Sequence, residues 1–236
     1  MSTERFPAFF DQVPRLTVRD PLADFLGAAE GGVLDYGYAD AVRLAGHSCP
    51  TVASAYALAH HALTRLHPGE VPVRGKVRVS FQHPLDEGVT GVIAAVVGLL
   101  TGSAQDGGFK GIGGQFVRRN LQAFGVHHQP LALRFTRSDT GATVHAAAEL
   151  SRVPPHPEMP ELMRHCMRGE ADAAQRRRFG ELWQQRVARI LLEHWDDALL
   201  AALGFSGHPL KHLAASVAIF AMVYAMRRRV RVPVDS

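Results

Sequence analysis

His47 and Cys49 are two potential metal ligands with one residue between them, in the run Ala45-Gly46-His47-Ser48-Cys49-Pro50-Thr51. An imidazole nitrogen and a thiolate sulfur together suit a transition metal, and the local setting favours both. Pro50 has no N–H and fits the first position of a helix, after which Val52, Tyr56, Ala59, Leu63 and Leu66 recur at helical spacing. Ser48 or Cys49 therefore caps a buried helix, where free N–H groups and the positive dipole end favour a thiolate. The same pair also permits chemistry without a metal, with Cys49 as nucleophile and His47 as its base. That reading requires a third group to hold the base, and the sequence points to none.

Zinc generally takes three protein ligands in catalytic sites and four in structural ones, so further donors are needed. His60 and His61 lie on the same helix, and at about 1.5 Å per residue they fall about 16 Å from Cys49, too far for one ion. Cys166 lies beyond a proline-rich break. His83 ends the strand that follows the central helix and is the expected third ligand. Asp86 and Glu87 are additional candidates as ligand or base, although two carboxylates ahead of a helix also complement its positive end.

These groups must be positioned by the elements around them. Asp20-Pro21 opens a short helix to about Glu30, with Asp20 as its cap and Gly31-Gly32 as its stop. Val33 to Tyr38 reads as a strand, and Ala41 to Leu44 as a short apolar turn leading to His47. Beyond the central helix, Val71 to Gln82 alternates Val73, Gly75, Val77, Val79 and Phe81 against Arg74, Lys76, Arg78 and Ser80, the period of a half-buried strand. Gly88 to Leu100 is a helix of small and apolar residues, expected to be buried all round.

Gly102 to Gly114 is rich in glycine but matches neither common nucleotide signature: Lys110 is followed by Gly111, and the spacing that starts at Gly111 fails at Phe116. Bare backbone there lets a ligand lie close, and Lys110, Arg118 and Arg119 are the expected acceptors of an anionic group. A tight crossover between packed elements explains the same glycines. Leu131 to Arg137 and Ala142 to Arg152 alternate as strands joined by Ser138-Asp139-Thr140-Gly141. The fold class is α+β, a mixed or antiparallel sheet covered by helices, with a helical C-terminal extension.

Gly46-His47-Ser48-Cys49-Pro50, the long helix, the strand, the small-residue helix ending in Thr101-Gly102 and the glycine-rich stretch together resemble the FmdE family, named for formylmethanofuran dehydrogenase, over roughly Asp40 to Val153. The resemblance implies that His47 and Cys49 bind a metal, usually zinc, within an α+β layer. Two departures stand out. Gly91, Val92 and Ile93 occupy the region where family members commonly carry another cysteine, and no C-terminal zinc ribbon is evident. An imidazole from His83 in place of that thiolate makes a harder, less negative site, suited to an exchangeable or catalytic metal.

With 236 residues, 47% of them hydrophobic and 20% charged, the chain can bury one substantial core plus an extension. Pro154-Pro155-His156-Pro157 divides it into a metal-binding domain, residues 1–153, and a helical part, residues 154–236, with helices expected over Glu158 to Arg168, Ala171 to Leu203 and Pro209 to Arg229. His194 shares the apolar stripe of Trp183, Val187, Ile190, Leu191, Trp195 and Leu199 and is expected to be a core or interface residue. Two cysteines, one of them in the candidate site, make no disulfide framework and point to the cytoplasm, and Met1 to Pro14 has no apolar signal core.

Leu213 to Met226 is strongly apolar but shorter than the about 20 residues of a membrane span, so it reads as the interface of a homodimer. The net charge is +4, yet the basic residues fall in separate clusters with few aromatics between them, unlike a nucleic-acid-binding face. The expected function is therefore binding of a transition metal, zinc first, with heme, iron, nickel or copper also suited to the pair. The metal serves either an enzyme acting on a small-molecule ligand or a non-catalytic metal or heme carrier or sensor.

Overall fold

The computed structural model describes residues 5–196. The expected apolar helix over Leu213 to Met226, and the dimer surface assigned to it, lie outside the described residues. Leu16–Arg19 (β1) and Val33–Tyr36 (β2) pair antiparallel, with Leu16 opposite Tyr36 and Arg19 opposite Val33. Between them runs Pro21–Phe25 (α1), shorter than the expected helix to Glu30; Asp20 caps it, accepting from the Leu22 and Ala23 N–H groups.

Residues 41–44, expected as a turn, belong to a further helix, Tyr38–Ala45 (α2). Its two turns bury Tyr38, Ala41 and Val42 on one side, and Asp40 accepts the Gly37 N–H at 2.8 Å to start it. A helix this short offers too few repeats for periodicity to separate it from an apolar turn.

Pro50–Leu66 (α3) is the centre of the molecule. Val52, Ala53, Tyr56, Ala59, Ala62, Leu63 and Leu66 are all buried in the main core. The alanines keep α3 narrow, so Thr90–Thr101 (α4) and the sheet approach it closely. The apolar residues of α4 divide between the core and the surface: Ala94, Val96, Val97 and Leu100 are buried, while Ala95 is exposed beside a groove shared with residues 103–108. The helix is thus not buried all round, because small side chains leave little apolar surface that must be covered.

The four-stranded sheet has the order Gln122–Ala123 (β4), Val77–Phe81 (β3), Leu133–Arg137 (β5), Thr143–Ala146 (β6). β3 pairs parallel with β4 and antiparallel with β5, placing Val79 opposite Phe135, and β5 pairs antiparallel with β6. The alternation in the sequence is realised: Val77, Val79, Phe81, Leu133, Phe135, Val144 and Ala146 are buried toward α3. Arg78, Ser80, Arg134, Thr136 and His145 line a cavity of about 520 Å³ on the opposite side. β3 is shorter than the alternating run because Arg74 and Gly75 turn their N–H groups to the carbonyls of Arg19 and Thr101. The last strand ends at Ala146 rather than Arg152, where the chain enters a short turn over Leu150–Arg152.

Met159–Arg168 (α5) and Ala173–Ala188 (α6) pack on each other through Met159, Leu162, Phe179, Leu182 and Trp183. Arg189–Glu193 continues α6 as a π-helical turn. Val187, Ile190 and Leu191 enter the same core as α3, so the segment after the proline break shares the main hydrophobic interior. Among the described residues no helix is long and apolar enough to cross a membrane.

Candidate functional site

The connection between α2 and α3 carries the His-x-Cys pair. α2 ends at Gly46, whose φ of 74° lies in the left-handed region that a side chain disfavours. This sharp stop leaves His47 and Ser48 as the connection before Cys49. Cys49, rather than Ser48, is the N-cap of α3: it is 9% exposed, and its sulfur accepts the Val52 N–H at 3.4 Å. The thiol therefore sits at the positive end of a 17-residue helix.

His47 is exposed, and its Nδ1 is 2.9 Å from the Ala45 carbonyl oxygen. A carbonyl can only accept, so Nδ1 is the donor, and in the neutral ring Nε2 is the nitrogen that carries the lone pair. Fixing one ring nitrogen through a backbone carbonyl is the usual way a metal-binding histidine is oriented.

Ser48 between them is held from three sides. Burial pushes the Tyr38 hydroxyl well above its ordinary pKa, so it stays protonated and donates to Ser48 Oγ at 2.9 Å; Ser48 Oγ donates in turn to Gln184 Oε1 at 2.9 Å. The Ser48 carbonyl accepts from Trp183 Nε1 at 2.9 Å and Gln184 Nε2 at 3.3 Å. α6 thus clasps the loop that presents His47 and Cys49. Trp183 was legible only as one residue of an apolar stripe, and Gln184 carried no signal, because a contact across 136 positions leaves no local pattern.

The remaining expected ligands stand elsewhere. His83 follows β3 and is exposed, with Nδ1 2.9 Å from Glu87 Oε1; Asp86 and Glu87 are exposed as well. Among the described residues no three His, Cys, Asp or Glu side chains come together to hold a metal ion, so the expected set of His47, Cys49 and His83 is not assembled. β3 instead carries His83 toward Gly125, whose N–H its carbonyl accepts at 3.1 Å, while the His47 loop faces α6. The imidazole nitrogen of His47 and the sulfur of Cys49 are donors of the kind a transition metal takes.

His60 and His61 pack against Trp195, with ring centroids 4.9 and 4.6 Å away, as core rather than ligand residues. Burial pushes both imidazoles, and that of His67, below the usual histidine range. The unfolded chain then takes up these protons more readily than the folded one, so their stabilisation is complete above about pH 6.5 and declines below it. The thermal midpoint is expected to fall between pH 7.5 and 5.5, with a flatter decline in His67→Gln. A midpoint that holds constant across this range would contradict the burial of these rings.

The expected anion acceptors separate. Arg118 and Arg119 line one cavity, whereas Lys110 is exposed and outside its lining. Arg118 turns inward to the Asp20 carboxylate, which Arg74 also binds. Burial raises the Asp20 carboxyl, but the charges of Arg118 and Arg74 and two backbone N–H bonds outweigh it and hold the pKa below the ordinary value.

Fold and site together define an α+β protein that presents an imidazole and a thiol at the N-terminus of its central buried helix. The family model described as "FmdE, Molybdenum formylmethanofuran dehydrogenase operon" matches residues 44–199, and the chain belongs to this family. No curated protein and no solved structure matches the chain.

Proposed function

We propose that the chain binds a transition metal, zinc first, through His47 Nε2 and the Cys49 sulfur. The observation that carries this reading is the bond from His47 Nδ1 to the Ala45 carbonyl, which leaves the other ring nitrogen free two residues from a thiol at a helix N-terminus. The rest of the coordination sphere comes from a second copy in the expected homodimer or from a small-molecule ligand. A metal with an open position would polarise a carbonyl or activate water on that ligand. A reducing cytoplasm is the setting in which Cys49 and Cys166 remain the free thiols they are in the structure.

The nucleophile reading has less support, since the Cys49 sulfur is bonded to the Val52 N–H and the His47 ring to the Ala45 carbonyl rather than to each other. Elemental analysis of protein purified without a histidine tag tests the metal. Wild type should carry metal near stoichiometry, and His47→Ala and Cys49→Ala should each lose most of it with helix content unchanged by circular dichroism. His83→Ala is the internal control and should keep it. Full metal retention in either ligand variant would sink the proposal.

A further inference from the structure

A cavity of about 630 Å³ lies at the end of the glycine-rich stretch, lined by residues 114–121, and Arg74, Lys76, Arg78, Arg118 and Arg119 all contribute to its lining. No aspartate or glutamate lines it; Asp20, behind the wall, is shared by Arg74 and Arg118. Five cations therefore face one carboxylate. Among the described residues Lys76, Arg78 and Arg119 form no ion pair. Like charges gathered around one space repel one another unless an anion enters it.

Arg118 is 8% exposed, and while Nη2 binds Asp20, Nη1 is buried without a hydrogen-bond partner among the described residues. Its place is built by the surrounding backbone. Arg118 donates its N–H to the Phe109 carbonyl, accepts the Ala104 N–H, and lays its guanidinium against Gly75 and Gly102, where a Cβ on either residue would overlap it. Phe116 and Asn120, both in the cavity wall, hold φ values of 59° and 58° that non-glycine residues seldom adopt, a strain that persists where the surroundings enforce it. The Arg74, Lys76, Arg78 alternation and the glycine-rich stretch, separate features in the sequence, here form one site.

We infer that this cavity binds a small polyanion, a molecule bearing phosphates or several carboxylates, at a site separate from the His47–Cys49 loop. Its size falls within the about 300–1,000 Å³ of small-molecule pockets. Planar guanidiniums suit the bidentate recognition of either oxyanion. The cations surround one space instead of tracking along a groove, which favours a compact anion over a nucleic-acid strand.

Isothermal titration calorimetry at low ionic strength tests this with pyrophosphate and citrate as probes. Wild type should bind at least one of them with a submillimolar Kd, and the tighter probe assigns phosphate or carboxylate chemistry. Arg119→Ala and Lys76→Ala, at exposed positions, should each weaken binding about tenfold. Arg164→Ala, an equal loss of charge on α5, should leave it unchanged. His47→Ala should also bind as wild type does, which keeps this result independent of the metal proposal. Absence of heat with millimolar probe would overturn the inference, as would equal weakening by Arg164→Ala or loss of binding in His47→Ala. Binding of a short single-stranded oligonucleotide that neither probe displaces would likewise overturn it, in favour of nucleic acid.

Discussion

Asp20→Ala is expected to destabilise the fold by about 3–5 kcal/mol, the range for removing one partner of a buried ion pair. The Asp20 side chain is 6% exposed and pairs with two guanidiniums, those of Arg74 and Arg118, whose side chains are 17% and 10% exposed. Without it, two desolvated cations face each other. The cap of α1 is lost as well, which by itself costs about 1 kcal/mol. Adding Arg118→Met to Asp20→Ala should recover part of the loss, because it removes one stranded charge and keeps much of the volume. Urea denaturation measures all of these. A loss below about 1 kcal/mol for Asp20→Ala would show that the guanidiniums reach water and that the cluster is weakly coupled. The pH sign is also defined: the Asp20 carboxyl is held below its ordinary value, so its contribution is present above about pH 4 and fades as the pH falls through the lowered pKa.

Trp183→Ala is expected to act twice. The ring packs with Phe179 in the α5–α6 cluster, at 5.6 Å between centroids, and its Nε1 holds the Ser48 carbonyl at 2.9 Å. Truncation should cost about 2–3 kcal/mol, less than for a fully buried tryptophan, because the ring is half-buried. The larger effect is on the loop. With Trp183 gone, the His47–Cys49 segment keeps both donors but loses an anchor, and metal affinity should drop about 10–100-fold, as when outer-shell partners of a metal site are removed. Trp183→Phe separates the effects: it restores most of the packing and should leave affinity reduced. Unchanged metal affinity in Trp183→Ala would mean that Gln184 and Tyr38 alone hold the loop.

Much of the fold was legible because its signals are local. The alternation through Val77, Val79 and Phe81 placed one strand face inward, and Pro50 with its apolar series placed α3. The His-x-Cys pair at that helix's start was legible for the same reason. Failures came where elements were short or pairings distant: α2 looked like a turn, and β4, two residues long and parallel to β3, had no pattern to find.

The amino-acid order by itself determined the local chemistry of this protein: which helix begins at Pro50, that an imidazole and a thiol stand before it, and which faces of the strands seek the core. Those features follow from dihedral preferences, capping and hydrophobic periodicity, all of which act over a few residues. Tertiary structure alone decided what these groups meet. It set α6 on the Ser48 loop, carried His83 to Glu87 and Gly125 instead of to Cys49, and drew Asp20, Arg74 and Arg118 together from positions up to 98 residues apart. Such contacts are selected by how well whole surfaces pack and how buried charges find partners, and no stretch of chain carries that information alone.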